Sequence, residues 1–346
     1  MAAAPAMASK ARVSALANSR QLVDVQYTFE RPYLLHSVGE LVTVEWGQSG
    51  DGAAKEPHAE GGLIKKHGES VYGIYFGRKS ADFNTAVRTA SGAPLNFTVL
   101  EEQNPMNLFY GMKSGDLSWG ATLKYSNGKD DSKKQKATSM GIAAGVTNGT
   151  WEAELVLGLA GKTEEEIAGV THTVESKGNT KLGFGYNLSD SMHAYADYKM
   201  SKIEGDTSAV AGVEATVEKT NLNVGFINTV AKNDDANVFY GVAYSMETIK
   251  DDSETTALPV WVGIEANATS WMVMRGSIKQ NVLLNTTKDK TPGGAGDATD
   301  LDSVVAAAGV GIKLNKGMLD ATFTQAGAGT INSDQLLSNV SYTYNF

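Results

Sequence analysis

Residues 116–126 read DLSWGATLKYS, and the two faces of this stretch differ sharply. Leu117, Trp119, Ala121, Leu123 and Tyr125 share one register, and Asp116, Ser118, Gly120, Thr122, Lys124 and Ser126 share the other. Successive side chains of a strand point to opposite faces, so this is a strand with one apolar and one polar side. The pattern recurs from residue 106 onward in segments of about ten residues. Leu108, Tyr110 and Met112 oppose Asn107, Gly111 and Lys113, and Leu182, Phe184, Tyr186 and Leu188 oppose Lys181, Gly183, Gly185 and Asn187. Met192, Ala194, Ala196, Tyr198 and Met200 oppose His193, Tyr195, Asp197, Lys199 and Ser201. Val238, Tyr240, Val242, Tyr244 and Met246 behave likewise, as do segments near 137–147, 150–160, 218–228, 257–267, 270–280, 303–314 and 317–326.

The charges separate two ways of using such strands. Lys124, Glu152, Glu154, Lys181, Asp197, Lys199, Glu247, Glu265, Arg275, Lys279, Lys313 and Asp320 all fall on the polar register. A Lys or Arg facing the middle of a bilayer costs roughly 2–4 kcal/mol, so a lipid-facing wall excludes charge from its outer register. A soluble sandwich also alternates, but the many Gly, Ala and Ser opposite the apolar face are unusual for it. These charged residues are therefore expected to face a lumen. The aromatics Trp46, Tyr110, Trp119, Tyr125, Trp151, Phe184, Tyr186, Tyr198, Tyr240 and Tyr244 are expected at the lipid face or its interfaces.

Composition narrows the function classes. A net charge of −9 argues against a nucleic-acid surface, and the absence of cysteine removes disulfides, thiolate metal sites and thiol nucleophiles. The longest run free of strongly polar residues, near 304–312, is about half of the ~18–20 residues a membrane helix needs. A mean hydropathy of −0.23 is compatible with a membrane barrel, where only alternate residues meet lipid.

Connection lengths suggest two rims. Short links near 113–116, 147–150, 189–191, 268–270 and 315–317 alternate with longer polar stretches starting at Ser126, Thr173, Lys250 and Asn285. Short periplasmic turns and long extracellular loops are the plan of outer-membrane barrels. With Leu41–Gly47 and Val71–Gly77, the alternating segments number about 15, and a lone barrel needs an even count. The expected fold is all-β: a transmembrane antiparallel up-and-down barrel of about 16 strands, 14 being the fallback. Residues 1–8 end in Ala6-Met7-Ala8, the small-x-small pattern before a leader-peptidase cut, and read as a signal-peptide tail or cloning scar with cleavage before Ser9. Residues 9–40 read as a periplasmic segment or plug with one possible strand near Val23–Phe29, and residues 41–346 as the barrel. A further strand is possible near Leu95–Leu100.

The chain ends SNVSYTYNF, with Val340, Tyr342, Tyr344 and the terminal Phe346 on one face. This resembles the C-terminal β-signal of Gram-negative outer-membrane proteins, which implies an outer-membrane location and recognition by the barrel assembly machinery. The block ARVSALANSRQLVDVQYTFERPYLL, then GELVTVEWG and VYGIYFGR, resembles the porin-like major outer-membrane proteins of Bdellovibrio. That resemblance implies homo-oligomeric rings, pentamers in particular, whose outer walls enclose lipid.

No enzyme is expected. Of His36, His58, His67, His172 and His193, only His193 falls in a segment read as a strand, two residues from Ser191. Outer-membrane phospholipases place His before Ser and orient it with a polar partner, and here the order is reversed with no Asn partner evident. Gly161-Lys162-Thr163 lacks the glycine five positions earlier, where Val156 stands, so it is no phosphate loop. No cofactor or metal is expected. The leading expectation is passive diffusion of small hydrophilic solutes or ions, since about 16 strands leave an aqueous bore. The alternative is a structural oligomer enclosing lipid with little conductance. The inward small residues Gly141, Ala143, Gly145, Ala307, Gly309 and Gly311 would let something pack closely against the wall.

Overall fold

A computed structural model describes residues 9–47, 58–80, 100–206, 214–233, 235–291, 296–299, 303–326 and 339–346. The wall runs through β1 (Leu41–Gly47), β2 (His58–His67), β3 (Ser70–Phe76), β4 (Met106–Ser114), β5 (Leu117–Asp130) and β6 (Gln135–Thr147). It continues through β7 (Trp151–Ile167), β8 (Val170–Asn187), β9 (Met192–Asp206), β10 (Glu214–Lys232), β11 (Ala236–Ile249), β12 (Ser253–Asn267) and β13 (Met272–Asp289). A two-residue strand, β14 (Ala298–Thr299), adds to β13 before β15 (Val305–Leu314), β16 (Gly317–Ala326) and β17 (Asn339–Asn345) complete the chain.

Each wall strand pairs antiparallel with the next, and β17 pairs back onto β1 from Leu41↔Asn345 to Gly47↔Asn339. The result is a closed sixteen-stranded barrel with β14 as an appendage. Closure matters because an open edge leaves a row of unpaired backbone groups, and in hydrocarbon each is costly.

The sixteenth strand is β2, which lies in neither of the places proposed for an extra strand. Its sequence HAEGGLIKKH hides the alternation because its inward face carries Ile64, which is fully buried, while Leu63 lies on the outer face. The strand near Val23–Phe29 does not form, and Val25–Tyr27 is a single turn of 3-10 helix. A closed barrel offers that segment no edge to pair with, so its backbone bonds locally instead: Tyr27 N–H to Asp24 O at 3.1 Å and Thr28 N–H to Val25 O at 3.0 Å. Residues 1–8, and most of the segment near Leu95–Leu100, lie outside the described residues.

Several stretches expected as long loops are strand. β5 and β6 run on to Asp130 and from Gln135, residues 173–179 lie inside β8, and only residues 250–252 separate β11 from β12. Ladder hydrogen bonds need no apolar side chains, so polar sequence above the lipid belt extends the sheet. The tight turns near 67–70, 114–117, 147–151, 187–192, 267–272 and 314–317 share one rim with Leu41 and Asn345.

Candidate functional site

The outer face carries Trp46, Tyr110, Trp119, Tyr125, Phe184, Tyr186, Tyr198 and Tyr240 exposed, with Trp151 and Tyr244 half-buried. Tyr110 sits beside Trp119, ring centroids 5.7 Å apart. On the closing strand Tyr342, Tyr344 and Phe346 are exposed while Ser341 and Thr343 are buried on the inner side, where the Thr43 and Thr343 hydroxyls lie 2.9 Å apart. The Phe346 ring packs edge-on to Tyr344 and lies under the Lys65 ammonium.

The inner face is not a bare polar bore. Residues 9–38 cross it as a strap containing α1 (Lys10–Ala15), the Val25–Tyr27 turn, a second 3-10 turn at Pro32–Leu34 and α2 (Leu35–Val38). Ser9 caps α1, its hydroxyl accepting from Arg12 N–H, and Asp24 caps the next turn in the same way through Gln26 N–H. The wall groups the strap touches, Gly120, Glu152, Glu154, Glu265 and Asp320 among them, lie within a few residues of the short-turn rim.

Two apolar patches hold it. Val25, Leu35 and Val38 bury against Ile64, Val71, Tyr75 and Phe109 on one side of the barrel. Leu16 and Leu22 bury against Tyr195, Ile227, Phe239, Ala243 and Trp261 on the other. Fully burying one such side chain is worth about 1.5–3 kcal/mol. The missing side chains of wall glycines make room: a Cβ on Gly120 would stand 2.4 Å from the Pro32 carbonyl oxygen, and one on Gly145 would stand 2.7 Å from the Tyr33 ring. Gly309 faces Ala15 in the same manner. What packs closely against the inward small residues at Gly145 and Gly309 is the chain's own N-terminal segment.

Ion pairs fix the strap's register. Arg20 bridges Glu154 at 2.7 Å, Asp197 at 2.7 Å and Glu152 at 3.2 Å, with its guanidinium 5.2 Å from the Tyr195 ring centroid. Arg12 pairs with Glu265 at 2.8 Å and with Asp24 at 3.2 Å, and Arg275 joins Glu265 to Asp320, both at 2.6 Å. Lys10 reaches Glu60 at 2.5 Å, and the Tyr75 hydroxyl oxygen lies 3.1 and 3.0 Å from carboxylate oxygens of Glu45 and Glu60, to one of which its proton is donated. Lys181 pairs with Glu30 at 2.7 Å, and the Trp261 indole N–H donates to the Ser19 hydroxyl at 2.8 Å. Burial pushes the Asp24 carboxyl up to about 6, against the pull of Arg12 and the backbone N–H groups of Gln26 and Ser9.

The remaining expected lumen charges lie elsewhere on the wall. Lys124 pairs with Glu102 at 2.9 Å, in a short segment, residues 100–103, that lies along β5–β7: Thr163 donates to the Leu100 carbonyl and Ser126 to that of Gln103. Glu247 pairs with Lys219 at 2.8 Å, and Lys313 donates to the Asn267 side chain at 2.7 Å. Lys199 stands beside Lys181, and Lys279 opposite Trp261.

His193 does have an asparagine partner: its Nδ1 lies 2.8 Å from the Asn187 side-chain oxygen, and its Nε2 3.6 Å from Glu152. The Ser191 hydroxyl pairs instead with that of Ser189. The orienting half of a hydrolytic constellation is present, and the serine is not on it. His58, His67 and His172 also lie in strands, contrary to the sequence expectation.

Sequence reasoning missed Arg12, Arg20, Asp24, Glu45, Glu60 and Glu102. The available signal was an N-terminal block carrying Arg12, Arg20 and Arg31 among apolar residues, which a free periplasmic tail has no use for.

A closed transmembrane barrel with an apolar outer belt and a charged inner face is an outer-membrane β-barrel protein. No protein-family model matches the sequence, and no curated protein matches it. Among solved structures, OmpT of Vibrio cholerae is 12% identical over 88% of this chain and 94% of its own, with a TM-score of 0.40. The P. putida toluene transporter TodX is 10% identical over 99% of each chain, TM-score 0.46. The CymD monoaromatic hydrocarbon channel is 12% identical over 99% of this chain and 98% of its own, TM-score 0.47. At these values the likeness carries no functional inference.

Proposed function

We propose that the protein is a porin-like outer-membrane channel that admits small hydrophilic solutes or ions, and that the strap narrows its lumen so that passage is slow. The carrying observation is the strap itself, stretched across a sixteen-stranded bore and tied by Arg20 to three wall carboxylates. A bare barrel of this strand number has room for water. Filling the short-turn half with a folded segment leaves only the gaps around it. The aromatics of the outer face form interfacial girdles, and Val340, Tyr342, Tyr344 and Phe346 present the terminal strand to the barrel assembly machinery.

A second reading is a structural role, in ring oligomers that enclose lipid, pentamers by the resemblance given above. The two apolar patches favour it, since a strap stapled on both sides serves as permanent closure. Liposomes carrying the folded protein decide between them. Slow uptake of a small sugar, rising several-fold in Arg20→Ala, supports the channel. No uptake by either protein, with insertion verified, supports the structural role.

A further inference from the structure

Ser9 is fully buried where the strap begins. Its backbone nitrogen lies 3.1 and 3.3 Å from the two carboxylate oxygens of Asp24, and its hydroxyl donates to Asp320 at 2.9 Å. Both carboxylates are themselves buried. They belong to one connected group with Arg12, Glu265 and Arg275. Among the described residues that group holds three carboxylates, Asp24, Glu265 and Asp320, against two guanidiniums, Arg12 and Arg275, one positive charge fewer. A buried charge without a partner is costly, and burial alone raises the Asp24 carboxyl against the pull of Arg12. In the adjoining group Lys10 and Arg78 both pair with Glu60, and Glu45 accepts from the Lys10 backbone N–H.

The missing charge is available from the chain's own backbone. The residues immediately before Ser9 are Ala6-Met7-Ala8, which a leader peptidase accepts at its cut site. We propose that the chain is cut between Ala8 and Ser9, and that the Ser9 α-ammonium becomes the buried counter-ion of Asp24, completing the charge of the cluster and latching the strap. In the cut, water adds across the Ala8–Ser9 peptide bond: its oxygen goes to Ala8, which leaves as a carboxylate, and both its protons go to the Ser9 nitrogen, which becomes an ammonium. The contacts to the Asp24 carboxylate, which carry charge on the acceptor alone before the cut, then carry it on donor and acceptor both. The order of events is consistent. A peptidase acts on the extended chain during export, so the ammonium exists before barrel and strap close around it.

The test uses protein isolated from outer membranes. Its intact mass gives the first residue, and reductive dimethylation at neutral pH reports the α-amine on the peptide Ser9–Arg12. Folded and heat-unfolded forms are separated on a gel and compared, with the exposed Lys129 as internal standard. A chain starting at Ser9 whose α-amine is labelled at least tenfold more slowly when folded, relative to Lys129, supports the latch. A variant retaining one extra alanine before Ser9 moves the amine by about 3.8 Å and is expected to lose most of that protection. A chain starting at any other residue overturns the proposal, and so does a Ser9 α-amine labelled equally fast in both forms.

Discussion

The wall and the strap are one chain under two different solvents. Outside, each strand meets hydrocarbon with every second residue, which forces the alternation seen at Leu117, Trp119, Leu123 and Tyr125 on β5. Inside, the strap meets other protein, and there the pattern has no fixed period: glycines at Gly120 and Gly145, a buried tyrosine at Tyr75, guanidiniums at Arg12 and Arg20. Lipid imposes a rule on sequence that can be read without knowing the fold. A protein surface imposes only complementarity to its particular partner.

The largest effect expected at the strap comes from Arg20→Ala. It leaves Glu152, Glu154 and Asp197 without the cation between them, and breaking a buried pair costs roughly 3–5 kcal/mol. The loss falls on strap docking, so chymotrypsin cuts near Tyr27 and Tyr33 while the wall keeps its heat-modifiable mobility. If the wall unfolds with the strap, the two regions are a single cooperative unit and the comparison breaks. Leu182→Arg sharpens it from the other side. This residue is 52% exposed on the outer face, and a cation there costs roughly 2–4 kcal/mol near the bilayer midplane. Urea refolding into vesicles measures that loss, and Arg20 pairing in the folded fraction stays unchanged.

Smaller changes probe the fit between the regions. Gly120→Ala sets a methyl against the Pro32 carbonyl, and overpacking of this kind costs roughly 1–3 kcal/mol. The strap becomes more accessible to protease with little change in the wall. Trp261→Phe removes the indole N–H that reaches Ser19 and is expected to cost about 1 kcal/mol. Amide exchange near Ser19 rises, and exchange on β11–β13 does not.

The same contrast explains what could be read from the sequence. The strands from residue 106 onward and the closing strand follow from alternation, because lipid contact punishes every exception. β2 escaped because its inward residue Ile64 serves the strap's apolar patch and not a watery lumen. The apolar spacing of Val23, Val25, Tyr27 and Phe29 imitates a strand, but a closed sheet has no edge for it, so Asp24 and Gln26 turn the backbone back on itself. The carboxylates that hold the strap were visible on the polar register at Glu152, Glu154, Asp197 and Glu265. Their partners lay more than a hundred residues away, at Arg12 and Arg20, and no local pattern links them.

Single-channel recording of the folded protein in a planar bilayer is the most direct test of a strap that occupies the lumen. Small, infrequent current steps from the natural protein, with steps several-fold larger from Arg20→Ala, are the predicted result. Equal large ohmic steps from both proteins would mean that the bore is open with the strap in place, and would contradict the account.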